Sequence, residues 1–444
     1  MPHLAGVSGF THGNGLGVLL NYDGDGRLTD MQTADGTTEV QNLTLSYDAS
    51  ANITAITDNL DSTRSQTFGY DAVGRLTDAT GSYGDIDYTY DLVGNRTDRT
   101  IDDGTVTDET YAYNAGTHRL ASVTVGIEVR ALGYTAAGST DSDTRSGTTL
   151  SFAYNHAGRL TSVTAGAGIL ASREYKYDAL QHRVHEARED RVGEGIQGSD
   201  FSYVYDLAGH LLAEYATLGL TPQVLREYVW LGNTPVAMID HTMTGTPLLA
   251  IHTDHLGRPQ KLTDDSQTVV WDGQFDPFGE DNSVTGTTDM PLRFPGQEWD
   301  AATGLSQNWN RDYDPTLGRY IESDPIGLAG GVNTHLYAEA NPIRAVDPDG
   351  EVAFGLPLIL PLPVLVDPAA VAAVCGSATG VAIGNIISEM FSDPLPPKKQ
   401  REICKLEDQV GIICVYRCAS DGFGFTSFAP RGQCPRAAVR PRDL

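Results

Sequence analysis

The stretch RDYDPTLGRYIESDPIGLAGG (residues 311–331) contains Asp312 and Asp324, is rich in proline and glycine, and shows no helical spacing of apolar residues. The Pro-Thr-Leu-Gly turn at 315–318 would let two strands return past one another and bring the carboxyl groups together. Two carboxyl groups within hydrogen-bond reach cannot both ionise. The ionised one can then act as a base and the protonated one as an acid. The spacing therefore suits two carboxyl groups that are brought together for acid–base chemistry.

A structural explanation of the same residues stays open. Asp-Pro at 314–315, 324–325 and 347–348 is ordinary turn chemistry. Arg311 could hold one carboxylate in its charged form or steady developing negative charge. Arg311 and Asp312 could equally form a simple ion pair. The residues alone do not decide between a catalytic pair and a set of turns.

A repeat precedes this stretch and must supply its framework. A tyrosine followed by aspartate or asparagine recurs about every 20 to 25 residues. Each copy indicates a β-hairpin: an alternating strand, a turn containing Asp or Asn and often Gly, and a second short strand. One hairpin cannot bury its face alone, so the copies must pair edge to edge. The copies are centred on Tyr22, Tyr47, Tyr70, Tyr90, Tyr113, Tyr154, Tyr177 and Tyr205, with a weaker copy at Tyr134.

This repeat predicts the fold class. We expect a mainly β protein whose antiparallel hairpin repeats form a long spiral sheet, a shell that is incomplete if nine repeats cannot close it. The tyrosines should lie on one face as a packing ladder rather than as a binding platform. A small α or irregular tail that contains the cysteines should follow. No cofactor or metal site is expected.

Charge separates the chain into two parts. Residues 351–444 hold nine of the 30 basic and nine of the 58 acidic residues, so the whole net charge of −28 lies in residues 1–350. Such an acidic region is not expected to bind nucleic acid. The amino-terminal residues MPHLAGVSGFTHG lack the basic region and the apolar run of a signal peptide.

The motifs downstream of the repeats resemble those of a known family. Together with the repeats, they resemble YD-repeat or RHS-repeat proteins with an RHS repeat-associated core domain, which are polymorphic toxins related to the C component of insecticidal toxin complexes. The resemblance implies repeats over residues 1–250 and the core domain over 251–350. The motifs are HTDHLGRPQKLTD (252–264), FDPFGE (275–280), LRFPGQEWDAATGL (292–305), NWNRDYDPTLGRYIESDPIGLAGG (308–331) and NTHLYAEANPIRAVDPDG (333–350).

The resemblance also implies an activity. Family members are similar to hollow β-shells that enclose a carboxy-terminal toxin segment, and their core cuts the chain as an intramolecular aspartyl protease. Matched by position, the catalytic residues fall on Arg311, Asp312 and Asp324. The cleavage motif Asp-Pro-x-Gly-Leu falls on Asp347, Pro348, Gly350 and Glu351. A charged Glu351 in place of leucine costs desolvation, so we expect scission after Glu351 to be slow or absent.

The residues after the core form an apolar linker, 351–398. Prolines break the run VAFGLPLILPLPVLV at 352–366. The uncharged residues 368–388 carry Gly376, Gly380 and Gly384, which would share one helix face and favour close helix packing. The length suits a membrane span, but a linker helix buried in protein would accept the same pattern.

The last segment, 399–444, contains four cysteines and no histidine. Cys404, Cys414, Cys418 and Cys434 could form two disulfides in an oxidising compartment. A zinc site is the alternative, although the spacing contains no C-x2-C pair, and inert thiols are a third. The absence of histidine disfavours His-dependent catalysis, and no motif in this segment predicts a reaction.

Three functions therefore remain open. The first is a polymorphic toxin whose self-cleaving core carries a variable effector for competition between cells, secreted or displayed on the surface through specialised secretion machinery and paired with a cognate immunity protein. The second is a non-enzymatic shell or surface protein whose cleavage has decayed, as Glu351 suggests. The third is a tail that permeabilises membranes through residues 368–388.

Overall fold

Nearly all described elements are β-strands, which confirms the predicted fold class. The structure is a computed structural model that describes residues 8–193, 195–218 and 221–355, together with the backbone of four strands between residues 403 and 439. The chain divides into two compact units, Met1–Gly376 and Ser377–Leu444. Three short 3-10 helices are the described helical elements: Ser62–Arg64, Gly327–Ala329 and Ala338–Ala340.

The repeats form one sheet of 25 strands, each antiparallel to the next along the chain. The strands are β1 (Gly9–Thr11), β2 (Gly17–Tyr22), β3 (Leu28–Ala34), β4 (Glu39–Tyr47), β5 (Ile53–Asp58), β6 (Gln66–Tyr70), β7 (Leu76–Gly81), β8 (Gly84–Tyr90), β9 (Arg96–Asp102), β10 (Val106–Tyr113), β11 (Leu120–Val125), β12 (Glu128–Tyr134), β13 (Thr140–Arg145), β14 (Thr148–Tyr154), β15 (Leu160–Ala165), β16 (Leu170–Tyr177), β17 (Arg183–Val192), β18 (Gly195–Tyr205), β19 (Leu211–Leu218), β20 (Thr221–Leu231), β21 (Thr234–Asp240), β22 (Leu248–Thr253), β23 (Pro259–Thr263), β24 (Val269–Phe275) and β25 (Asp281–Gly286).

The two ends of this sheet meet through side chains. Within the described residues no backbone pairing joins β25 to β1, so the sheet is open. Asn14 Nδ2 nevertheless donates to Thr263 Oγ1 at 2.9 Å, and Arg64 Nη1 lies 2.7 Å from Asp272 Oδ2. The sheet therefore winds round until its late strands lie beside its early ones, as expected for a spiral. It continues past residue 250, and the domain divisions at 250, 350 and 398 stay predictions.

The tyrosine–aspartate motif forms the hairpin turn. After Tyr70, the Asp71 Oδ1 atom accepts the backbone N–H groups of Val73 and Arg75, both at 3.0 Å. Gly74 takes a φ of +88°, which other residues adopt only with strain. The acidity of the repeats thus comes partly from aspartates that close turns.

The tyrosines form the predicted ladder. Tyr70 OH donates to the Ile53 carbonyl of the preceding repeat at 2.7 Å, and Tyr177 OH donates to the Leu160 carbonyl at 2.6 Å. The same bond recurs from Tyr47, Tyr113, Tyr134 and Tyr154. Each of these hydroxyls reaches the first residue of a strand in the preceding repeat, so the ladder fixes the stacking of successive repeats.

The core follows the sheet and packs against it. Strands β26 (Gln297–Asp300), β27 (Leu305–Asn308), β28 (Arg311–Asp314) and β29 (Arg319–Tyr320) form a small antiparallel sheet, and β30 (Ala345–Val346) pairs with β31 (Phe354–Gly355). Tyr313 OH donates to the Phe278 carbonyl at 2.7 Å. Asp314 accepts hydrogen bonds from Arg130 and Arg145 of the repeat sheet. Buried ion pairs therefore anchor the core to the repeats.

The described residues of the second unit also form strands. Strands β32 (Ile403–Val410), β33 (Ile413–Arg417), β34 (Gly424–Phe428) and β35 (Ala437–Val439) make an antiparallel sheet in the order β34, β33, β32, β35. This differs from the α or irregular tail expected from the sequence. β-branched and aromatic residues such as Ile413, Val415 and Tyr416 favour strands and account for the difference.

Removing one ladder hydroxyl should destabilise the repeats. Tyr177→Phe deletes a partly buried hydrogen bond and leaves the Leu160 carbonyl without it, so we expect a loss of about 1 kcal/mol in the free energy of unfolding. Tyr88→Phe is the control, because the buried Tyr88 hydroxyl has no hydrogen-bond partner among the described residues. Urea denaturation measures both variants, and equal losses would contradict the ladder.

Candidate functional site

Strand β28 turns its side chains to two sides. Neighbouring residues of a strand point to opposite faces, so Arg311 and Asp312 have different surroundings. Arg311 is almost fully buried, with its guanidinium carbon 3.6 Å from the centre of the Tyr320 ring. Asp312 faces the repeat sheet, where its Oδ1 accepts from Arg183 Nη2 at 2.5 Å. The two predicted catalytic neighbours are therefore not an ion pair with each other.

The guanidinium of Arg311 joins the second predicted aspartate to the predicted cleavage motif. Its Nη1 lies 3.2 Å from Asp324 Oδ2, and its Nη2 donates to Asp347 Oδ2 at 2.9 Å. Its Nε donates to the Gly350 carbonyl at 2.5 Å. One buried cation thus holds two carboxyl groups and the backbone of the motif together.

The predicted scissile carbonyl lies beside Asp324. A Cβ at Gly330 would overlap both Asp324 Oδ2 and the Glu351 carbonyl oxygen, so these two atoms share the space next to Gly330. The Glu351 N–H donates to Asp347 Oδ1 at 3.0 Å, and Asp349 Oδ1 lies 3.2 Å from the same nitrogen. The motif therefore folds back so that its last carbonyl oxygen and Asp324 Oδ2 both lie next to Gly330.

Gly350 is required by this path of the chain. It has a φ of +69°, and a Cβ there would lie 2.5 Å from the Asn308 carbonyl oxygen. The predicted role of Gly350 in the cleavage motif therefore has a steric basis, since any side chain would push the motif away from β27 and β28. Pro348 precedes it, and the Pro348 carbonyl oxygen lies against Gly296 in the same way.

Two residues of the site were missed by sequence reasoning. Tyr320 OH donates to Asp347 Oδ2 at 2.9 Å. Asn308 Nδ2 donates to Tyr320 OH at 2.7 Å and to the Asp347 carbonyl at 2.8 Å. Both residues lie inside quoted motifs, but nothing in their spacing showed that they would meet a residue so far along the chain.

Asp312 belongs to a second group of buried charges. Its backbone N–H donates to Glu322 Oε2 at 2.8 Å, and both side chains are buried. Asp314, two residues on and on the same face, pairs with Arg130. These contacts give Asp312 a docking role, and its catalytic role stays a prediction.

Burial raises the pKa of several carboxyl groups at this site. Burial is the largest cause for Asp347, whose pKa rises to about 6 against the opposing effect of Arg311. Burial likewise raises the pKa of Asp324, again opposed by Arg311, and that of Glu351. These carboxyl groups therefore exchange protons at higher pH than free carboxyl groups do, which favours acid–base catalysis on a peptide.

The other predicted sites lie outside the described residues or have no counterpart among them. Within the described residues, no group of three or more His, Cys, Asp and Glu side chains could hold a metal ion. No described helix is long and apolar enough to cross a membrane. Gly376, Gly380 and Gly384 lie outside the described residues, as do Cys418, Cys434 and the side chains of Cys404 and Cys414.

Comparisons with known proteins identify the repeats. The family model described as Teneurin YD-shell matches residues 17–334. The chain is 30% identical over 377 residues to double-stranded DNA deaminase toxin A of Burkholderia cenocepacia, covering 78% of this chain and 23% of that protein. It is 40% identical over 114 residues to toxin protein Tse5 of Pseudomonas aeruginosa, covering 26% of this chain and 8% of that protein. The chain thus spans less than a quarter of these relatives.

Solved structures of toxin complexes have the same fold. The TcdB2-TccC3 crystal structure matches with a TM-score of 0.64 at 20% identity, over 77% of this chain and 19% of that chain. A Tc holotoxin pore of Photorhabdus luminescens matches with a TM-score of 0.65 at 19% identity, over 79% of this chain and 18% of that chain. At this identity the likeness concerns the fold alone.

Arg311 should be far more important for stability than an exposed arginine. Arg311→Gln leaves the carboxylates of Asp324 and Asp347 buried without their cation, so we expect a loss of about 3 kcal/mol in the free energy of unfolding near pH 8. The loss should shrink towards about pH 5, because Asp347 is then protonated and needs no cation.

The control is Arg27→Gln, since Arg27 pairs with Asp23 at the surface. Its loss of stability should be much smaller than that of Arg311→Gln at both pH values, because water and salt screen the pair. Urea denaturation at the two pH values measures both variants. A similar loss for both arginines, or one that does not depend on pH for Arg311, would contradict the assigned contacts.

Proposed function

Because the chain belongs to the teneurin YD-shell family and is related to RHS polymorphic toxins, we propose that its core cuts the chain after Glu351. The observation that carries the proposal is the position of Asp324 beside the Glu351 carbonyl oxygen, next to Gly330. A protonated Asp324 can donate to that oxygen while an ionised carboxylate activates water for attack on the carbonyl carbon. Scission of the bond between Glu351 and Val352 would separate residues 352–444 from the repeats.

Arg311 has a positioning role in this reaction. Its bonds to Asp347 and to the Gly350 carbonyl fix the segment that enters the site, and its contact with Asp324 orients the acid. Reactive groups held close together react faster because the entropy of alignment has already been lost. Asp312 is the proposed second carboxylate on the ground of the family resemblance alone, because the structure turns its side chain to the face of β28 opposite Arg311 and Asp324.

Glu351 differs from the leucine of the family motif, and burial raises the pKa of its side chain. A neutral Glu351 costs less to bury than a charged one. We therefore propose slow rather than absent scission. The released segment would act as the effector of a secreted or surface-delivered toxin, with secretion machinery and an immunity protein as partners.

Purified protein should cut itself into two fragments. The 47.6 kDa chain should give bands of about 37 and about 10 kDa on a denaturing gel, with the new amino terminus at Val352. Asp324→Asn should slow the cut at least about 100-fold, because the amide cannot protonate the carbonyl.

The exposed turn residue Asp265 provides the control, and Asp265→Asn should cut like the unmodified protein. Intact mass spectrometry over time follows all three proteins. A chain that stays whole would favour a passive container, and a cut that survives Asp324→Asn would remove Asp324 from the mechanism.

A comparison of Asp312 and Asp314 variants distinguishes a catalytic role of Asp312 from a docking role. Both lie on β28, face the repeat sheet and pair with its arginines, at Arg183 and Arg130. Asp312→Asn and Asp314→Asn should each destabilise the core, by up to about 3 kcal/mol. The cut should be lost in Asp312→Asn alone, as band intensities show. Equal retention of the cut would leave Asp312 with its docking role only.

A further inference from the structure

Glu322 is a buried carboxyl group that no predicted role includes. It lies two residues after β29 and is only 3% exposed, while the neighbouring Asp312 is 4% exposed. Its Oε2 accepts the backbone N–H of Asp312 at 2.8 Å. Its Oε1 is buried and has no hydrogen-bond partner among the described residues. A charged carboxylate with an unpartnered oxygen is costly to bury, so this side chain needs an explanation.

The cations near Glu322 are already committed to other groups. Arg183 donates to the Asp312 carboxylate, and Arg159 bonds to the carbonyl and side chain of Asn310. Arg311 is held by Asp324 and Asp347. Two buried carboxyl groups thus share an environment in which one guanidinium bonds to Asp312 and none bonds to Glu322. The titratable groups that face Glu322 are Asp312, Arg311, Arg159, Tyr154 and Tyr177.

The protonation of this pair follows from its surroundings. Burial and then the charge of Asp312 raise the pKa of Glu322 well above its usual range, and the Asp312 N–H and Arg311 oppose this. When two carboxyl groups interact closely, one keeps its proton and the other ionises. Arg183 bonds directly to Asp312, whereas Glu322 Oε1 has no partner among the described residues, so the proton belongs to Glu322.

We propose that Glu322 is a positioning residue of the self-cleaving site, which stays neutral so that Asp312 keeps its bond to Arg183 and β28 keeps its place. The inference rests on the proposed scission. A neutral Glu322 still accepts the Asp312 N–H, which fixes the backbone between Arg311 and Asp312. An ionised Glu322 would add a second negative charge beside Asp312, displace it from Arg183 and slow the cut.

The test is the pH profile of the cut, followed by intact mass from about pH 5 to about pH 10. In the unmodified protein the rate should fall about tenfold per pH unit above the pKa of Glu322. Glu322→Gln keeps the acceptor oxygen but cannot ionise, so this fall should disappear. Glu298→Gln is the matched control, since Glu298 also has a pKa raised by burial, to about 8, but bonds to Tyr205. The rate of the cut in Glu298→Gln should still fall at high pH.

A second readout does not depend on the cut. In the Asp324→Asn background, thermal unfolding is followed over the same pH range. A group whose pKa is raised on folding stabilises the folded state below its unfolded pKa, and this contribution is lost as pH rises through the folded pKa. Replacing Glu322 by Gln should therefore flatten the decline of Tm with rising pH, whereas Asp265→Asn at an exposed turn should leave the decline unchanged.

The two readouts separate the two proposals. A chain that never cuts overturns the proposed function, while a flattened Tm profile would still place the proton on Glu322. Cutting with the same alkaline fall in Glu322→Gln and in the unmodified protein overturns the inference and leaves the proposed function standing. The inference is also overturned if the double variant Glu322→Gln, Asp324→Asn has the same dependence of Tm on pH as the single variant Asp324→Asn.

Discussion

The buried guanidinium of Arg311 is the contact on which the candidate site depends. It bonds to Asp347, to Asp324 and to the Gly350 carbonyl, and it stacks on Tyr320. Carboxylates this deep in a protein are stable only with a partner or a proton. Burial raises the pKa of each acid, and the one cation that serves both only partly offsets this effect. The same contact that holds the segment together also leaves its acids able to exchange protons.

The repeat sheet supplies the other charges that the core needs. Arg130, Arg145 and Arg183 come from β12, β13 and β17, and they meet Asp312 and Asp314 on one face of β28. The tyrosine ladder keeps successive hairpins in register, so these arginines lie at fixed positions along the repeat sheet. Stacking of the repeats therefore determines where the core can dock.

The repeats could be predicted from sequence because their signals are local. The Tyr-Asp spacing and the turn glycines specify hairpins, and edge pairing then leaves one arrangement. The pairing of Asp324 with Arg311 was also within reach, since both lie in one motif. Arg183 with Asp312 could not be predicted, because 129 residues separate them. No sequence pattern marks Glu322. Its importance appears only from its burial and from the lack of a cationic partner among the described residues.

The two faces of β28 make different contacts. Arg311, on one face, bonds to the segment that ends in Glu351. Asp312 and Asp314, on the other face, bond to arginines of the repeat sheet. One short strand thus couples the reactive segment to the stacking of the repeats, because a shift of β28 towards either side breaks buried ion pairs on the other. A core without its repeats would bury Asp312, Asp314 and Glu322 without Arg130 and Arg183, or would have to expose them. The proposed cut should therefore require the folded repeat sheet. This requirement would delay separation of the downstream segment until the repeats have folded.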